Sequence, residues 1–200
     1  MNTKRILAAA CVCLLFAGGH GTVFAVDASA VPAIKQTTAG LYLDAHEAHD
    51  FLKKAGGRAY FVDVRTRAEV SFLGMPTLAD ANIPYVDQAE DASWDDKNSR
   101  FKLETNSDFG PELRRRLAAR GLSKSDPIVL MCRSGDRSAR AANLLKDLGY
   151  ENVYSVVDGF EGDLAKDGPK AGQRVVNGWK NAGLPWSYQL DKNKMYFPRN

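Results

Sequence analysis

Short apolar runs alternate with amphipathic stripes along most of this 200-residue chain. Residues 41–43, 59–64, 82–86, 128–131 and 153–157 are strand-sized, and most are rich in β-branched or aromatic side chains. Ile128 to Met131 has no polar break, the pattern of a strand buried on both faces of a parallel sheet. Pro84 assigns the third run to a sheet edge, because proline cannot donate to a ladder. Between the runs, Asp44 is placed to cap a helix with Ala48, Phe51, Leu52 and Ala55 on one face and Gly56-Gly57 at its end. Pro111 opens another, with Leu113 and Leu117 inward and Arg114, Arg115, Arg116 and Arg120 toward water. Ser138 is expected to cap a third, carrying Ala141, Leu144, Leu145 and Leu148 at helical spacing. This order predicts an α/β domain with a mostly parallel central sheet and helices on both faces.

Several stretches fall outside the pattern. Residues 26–40 are small and polar and read as a flexible lead-in, the domain proper as 41–190, and residues 191–200 as a tail. Residues 87–109 form a polar insertion carrying Asp87, Glu90, Asp91, Asp95 and Asp96. It lacks the ligand ladder and turn glycine of a calcium loop, so a surface loop is expected. Its Trp94 and Phe101 either pin it to the body or face a partner. A second hydrophilic insertion, 163–174, hangs from the same edge as Cys132 and is expected to shape the pocket mouth. His46 and His49 stand one helical turn apart, but two ligands make an incomplete site, and they read as solvated; no metal is expected.

At the N-terminus, Lys4 and Arg5 precede an apolar run, Ile6 to Phe16, and Val23-Phe24-Ala25 supplies a signal-peptidase site. Residues 1–25 are therefore expected to be a cleaved signal peptide, with export to a bacterial periplasm and no membrane anchor after cleavage. Cys11 follows Ala8-Ala9-Ala10 without the large aliphatic residue a lipoprotein signal would carry. Loss of Lys4 and Arg5 takes the net charge from +3 to +1, which offers no basis for nucleic acid as a partner. It also removes Cys11 and Cys13, leaving Cys132 as a lone thiol in an oxidising compartment.

Cys132 lies where the fourth strand gives way to the loop Arg133-Ser134-Gly135-Asp136-Arg137 and then to a helix. Backbone N–H groups and the helix dipole gather positive potential at such a junction, which favours the nucleophilic thiolate. The run from Cys132 to Ser138 resembles the active-site loop of the rhodanese family of sulfurtransferases. Phe61-Val62-Asp63-Val64-Arg65 is similar to that family's strand ending in Asp-x-Arg, and Trp179 to Pro185 to its closing segment. Where many rhodaneses have Gly-His-Ile, this chain has Phe72-Leu-Gly-Met-Pro-Thr77, without the histidine.

The resemblance implies a rhodanese-like fold and a catalytic Cys132 that carries a persulfide. It implies a sulfur-containing anion such as thiosulfate as donor, with cyanide or a thiol, including a protein thiol, as acceptor, and no cofactor. Arg133, Ser134, Gly135, Asp136, Arg137 and Ser138 would cradle the substrate, Gly135 supplying a positive φ. Arg133 is expected to project to the pocket mouth, and Arg137 to reach back to Asp63 or Glu69. Two other functions share these residues: a non-enzymatic persulfide carrier or binding module, and a phosphatase or arsenate reductase. The last pair places five residues between Cys and Arg, whereas four separate Cys132 from Arg137, a ring better sized to one sulfur atom.

Overall fold

A computed structural model describes residues 26–89 and 91–198. The signal-peptide expectation over residues 1–25, and Glu90 of the first insertion, lie outside the described residues. In chain order the elements are β1 (Tyr42–Leu43), α1 (Ala45–Ala55), β2 (Tyr60–Asp63), α2 (Arg67–Leu73), β3 (Met75–Pro76) and β4 (Ala81–Asn82). Four two-residue strands follow, β5 (Val86–Asp87), β6 (Trp94–Asp95), β7 (Arg100–Phe101) and β8 (Glu104–Thr105). Then come α3 (Phe109–Ala119), β9 (Ile128–Met131), α4 (Asp136–Asp147), β10 (Val153–Val156) and β11 (Trp186–Ser187). Five strands form one parallel sheet in the order β1-β10-β9-β2-β4, so β9 is central and the strand before Pro84 is an edge.

The two-residue period of the strands decides which helices they meet. Tyr60, Val62 and Val64 together with Ile128, Leu130 and Cys132 face Phe109, Leu113 and Leu117 of α3 and Ala141, Ala142 and Leu145 of α4. Phe61, Val129 and Met131 face the opposite way, onto Ala45 and Ala48 of α1, Val70 of α2, and Trp179. Helices thus cover both faces, as the alternating pattern predicts. Trp179 is fully buried against Phe61, and its indole N–H donates to the Pro185 carbonyl at 3.0 Å. The antiparallel pair of β3 with β11 ties this closing segment to the chain after α2.

Several surface expectations give way to docked structure. Residues 26–40 are not a loose lead-in: Val31 and Lys35 are buried, Lys35 reaches Asp163 at 2.7 Å, and the Thr38 amide donates to Asn143 of α4. The tail is held similarly. Arg116, read as solvated, pairs with buried Glu112 and donates to the carbonyls of Asn193 and Met195. His49 is partly buried with its ring edge-on to Trp179, while His46 is exposed as expected. The 87–109 insertion is folded into nested hairpins, β5 with β8 and β6 with β7, and Phe109 already belongs to α3.

Asp63 and Arg65 form an ion pair with no solvent exposure on either side chain. Arg65 Nη2 lies 2.6 Å from Asp63 and 2.7 Å from the Gly74 carbonyl, and the guanidinium stacks 3.9 Å over Phe160. Asn82 completes the knot by donating to the carbonyls of Asp63 and Arg65. Removing one partner strands the other charge in a low dielectric. Arg65→Met is expected to cost about 3–5 kcal/mol, and Asp63→Asn added to it should recover part of that loss. Urea unfolding of the single and double variants checks both.

Candidate active site

Strand parity carries Cys132, the residue after β9, to the α4 face, where its side chain is 1% exposed at that helix's N-terminus. The Gly135 N–H donates to Cys132 Sγ at 3.1 Å, and the Ser138 hydroxyl lies 3.6 Å from the same sulfur. Ser138 also stands 3.0 Å from the Gly135 carbonyl and accepts from Ser155 at 3.0 Å, so its single proton is shared between a carbonyl and the sulfur. Ser138 does not cap α4. Gly135 occupies the cap with φ +98°, which starts the helix three residues early and turns the Ser138 hydroxyl inward. Only glycine fits there, because a Cβ would overlap the Val157 carbonyl.

The other side of the curl rests on the chain after β10. Phe160 N donates to the Cys132 carbonyl at 2.8 Å, and Glu161 N donates to the Arg133 carbonyl at 2.9 Å. At Gly159, φ +65°, a Cβ would lie 2.6 Å from the Arg133 backbone. With these carbonyls turned to the support, the Gly135 N–H is left to face the sulfur.

Of the two acids proposed to brace Arg137, the structure selects Glu69. The guanidinium meets both carboxylate oxygens at 2.7 Å, a bidentate pair on partly buried side chains. Asp63 does not reach the loop, because its carboxylate is committed to Arg65. Glu69 also closes the capping box of α2, accepting from the Thr66 N–H and hydroxyl at 3.0 Å each. Burial by itself would raise the Glu69 carboxyl, but Arg137 and the Thr66 amide hold it at about 2. Burial likewise opposes the charge on Arg137, which the same pair restores and carries above the usual arginine range.

Arg133 lines the cavity and is half-buried, and its Nε has no hydrogen-bond partner among the described residues. Burial lowers its pKa, and the charges of Arg174 and Arg137 add to the effect against Glu69 and Glu161. Asp136 and Ser134 lie on the cavity wall, Asp136 paired with Arg140 at 3.1 Å. The cavity above Cys132 has a volume of about 500 Å³. Its far wall comes from Trp94, Arg100, Phe101 and Leu103 of the insertion, with Val86 just before it. Sequence reasoning gave the pocket mouth to the 163–174 insertion instead, none of whose residues lines this cavity; the one signal for the observed wall was a pair of aromatics in an otherwise polar stretch.

Asp158, just past β10, shows the opposite electrostatics to Glu69. Burial raises its carboxyl to about 6, with backbone amides, including Gly178 N–H at 3.0 Å, only partly opposing. Among the described residues, no cluster of three or more His, Cys, Asp or Glu side chains is arranged to hold a metal ion.

The family model of the rhodanese-like domain matches residues 44–166. An uncharacterised protein of Rickettsia rickettsii is 33% identical over 144 residues, covering 71% of this chain and 93% of its own. Thiosulfate sulfurtransferase 16, a chloroplastic protein of Arabidopsis thaliana, is 34% identical over 121 residues, covering 60% of this chain and 83% of its own. Among solved structures, an M. tuberculosis protein superposes with a TM-score of 0.56 at 30% identity, over 74% of this chain and 97% of its own.

The two acids predict opposite pH dependences. Glu69 has a folded value below its unfolded one, so its stabilisation is complete above pH 4.5 and is lost as pH falls toward 2. Its full size is about 3 kcal/mol. Asp158 binds its proton more tightly in the folded state, so its effect is to lower stability as pH rises from 3.8 to 6. Glu69→Gln should therefore flatten the acid limb of a stability–pH curve, and Asp158→Asn should raise stability above pH 6. Denaturant titrations across pH 2–7 read both.

Proposed function

The chain belongs to the rhodanese-like family, and we propose that within it this protein is a sulfurtransferase that moves a sulfane sulfur through a persulfide on Cys132. The observation that carries the proposal is the buried Cys132 Sγ under an N–H donor at the floor of an arginine-lined cavity. The Cys132 thiolate attacks the outer sulfur of a donor such as thiosulfate. A bond forms between Sγ and that sulfur, the sulfur–sulfur bond of the donor breaks, and sulfite departs with the electron pair. Cyanide, or a thiolate on a small molecule or protein, then takes the outer sulfur and regenerates the thiolate. Neither step consumes an oxidant or a reductant.

Each neighbour has a part in this scheme. Arg133 draws an anionic donor down to the sulfur, and the Gly135 amide with the Ser138 hydroxyl steadies the charge on Sγ and on the persulfide. Arg137 keeps the curl closed through Glu69 and adds positive potential. The four-residue spacing favours a single sulfur over a tetrahedral phosphate. A carrier that hands its persulfide to a dedicated partner needs the same residues, and it differs from an enzyme only in turning over no small acceptor.

Intact-mass measurement of the purified protein should show a gain of one sulfur atom after thiosulfate, reversed by cyanide with release of thiocyanate. Cys132→Ser should abolish both while leaving circular dichroism unchanged, since an alkoxide cannot hold a transferable sulfur. A mass gain without catalytic thiocyanate would make the protein a carrier. Export is part of the proposal: N-terminal sequencing of the protein recovered outside the cytoplasm should begin at Val26. An intact Met1 or a lipid-modified Cys11 would overturn that part.

A further inference from the structure

The cavity is far larger than thiosulfate requires, and one of its walls is not built for an inorganic ion. Pockets for compact organic molecules begin at roughly 300 Å³, and this one reaches about 500 Å³. Trp94 on β6 and Phe101 on β7 face each other across a two-residue pairing register. Their rings meet edge-to-face at 5.4 Å and 88°. Both line the cavity, yet they are 50% and 51% exposed, and neither belongs to the two buried clusters that form the core. An aromatic pair with half its surface in water at the mouth of a nucleophile's pocket leaves apolar area for a ligand to cover.

Charge stands beside it. Arg100 lies next to Phe101 on the same strand, and Arg133 also lines the cavity; among the described residues neither forms an ion pair within 4.0 Å. Leu103 and Val86 add apolar surface to the same cavity. The site therefore offers three features at once: a reactive sulfur at the bottom, a cation beside it, and an aromatic face above.

We propose that the β6–β7 hairpin is a specificity element, through which the protein takes organic sulfur anions with an apolar, ring-sized body in preference to inorganic thiosulfate. The inference rests on the sulfurtransferase function argued above. An organic thiosulfonate has the required chemistry. Its body lies against Trp94 and Phe101, its sulfonyl oxygens face Arg133, and its outer sulfur reaches Cys132 Sγ. The thiolate attacks that sulfur, the sulfur–sulfur bond breaks, and an organic sulfinate leaves with the electron pair, so no proton or redox partner is required.

The test compares benzenethiosulfonate with thiosulfate as donors to the full-length mature protein, with cyanide as acceptor. The wild type should show the higher kcat/KM for benzenethiosulfonate. Trp94→Ala and Phe101→Ala should each reduce the ratio of the two kcat/KM values by about tenfold, mainly through KM for the aromatic donor. Trp94→Phe should restore most of it. An unchanged ratio in both alanine variants, or an equal loss with both donors, overturns the inference while leaving the sulfurtransferase function intact. Calorimetric binding of benzenesulfonate and of sulfate, neither of which donates sulfur, separates the two failures. If turnover is absent with both donors but benzenesulfonate binds more tightly than sulfate and Trp94→Ala removes the difference, the aromatic wall stands and the transfer chemistry falls. If benzenesulfonate binds no better than sulfate, the wall is not a ligand site.

Discussion

The bidentate contact of Arg137 with Glu69 is the interaction on which the geometry of this site depends. The backbone of the curl from Cys132 to Arg137 rests on the chain after β10, and its last side chain anchors it to α2. Glu69 is rigid because it already closes that helix's capping box with Thr66. One carboxylate therefore fixes both a helix start and a loop end. A lysine at 137 would preserve the charge but lose the planar fork that matches both oxygens.

The second constraint is steric. Two glycines with positive φ let backbone approach backbone where a side chain would intervene: Gly135 against Val157 and Gly159 against Arg133 and Ser134. The carbonyls of Cys132 and Arg133 are drawn to amides of residues 160–162, on the side of the curl away from the sulfur. The Gly135 N–H that points at Cys132 Sγ is thus in place before any substrate arrives, with no reorganisation required during reaction.

The parts of this arrangement that were legible in the sequence are those set by local pattern. The strand Ile128 to Met131, the positive φ of Gly135 and the Asp44 and Gly56 caps follow from apolar runs, glycine freedom and capping chemistry, and the structure bears them out. What was not legible depends on which distant group arrives first. Asp63 and Glu69 were equally plausible partners for Arg137; Arg65, two residues from Asp63 and equally buried, claims it. Ser138 has a good capping residue's chemistry, but the tight turn at Gly135 starts the helix before it. The lead-in and tail look polar and loose, and their anchors are scattered long-range contacts, among them Lys35 to Asp163, Thr38 to Asn143 and Arg116 to the carbonyls of residues 193–195, that leave no periodic trace. The hairpin wall was hidden for the same reason, since pairings of two residues are too short to show alternation.

Charge around the cavity is unevenly compensated, and this has a direct consequence for binding. Four arginines line it against two carboxylates, and both carboxylates are engaged, Glu69 with Arg137 and Asp136 with Arg140. Arg133 is left half-buried, with its charge opposed first by desolvation and then by Arg174 and Arg137. A cation held under those conditions is stabilised by any anion that enters, and burial keeps that attraction from being screened as it would be at the surface. An anionic sulfur donor of the kind proposed above would supply the counter-charge that the two engaged carboxylates do not give Arg133. In the donor selection proposed above, the aromatic hairpin takes no part in that electrostatic gain, so charge would admit sulfur anions of any size and apolar contact would rank them by the body attached to them.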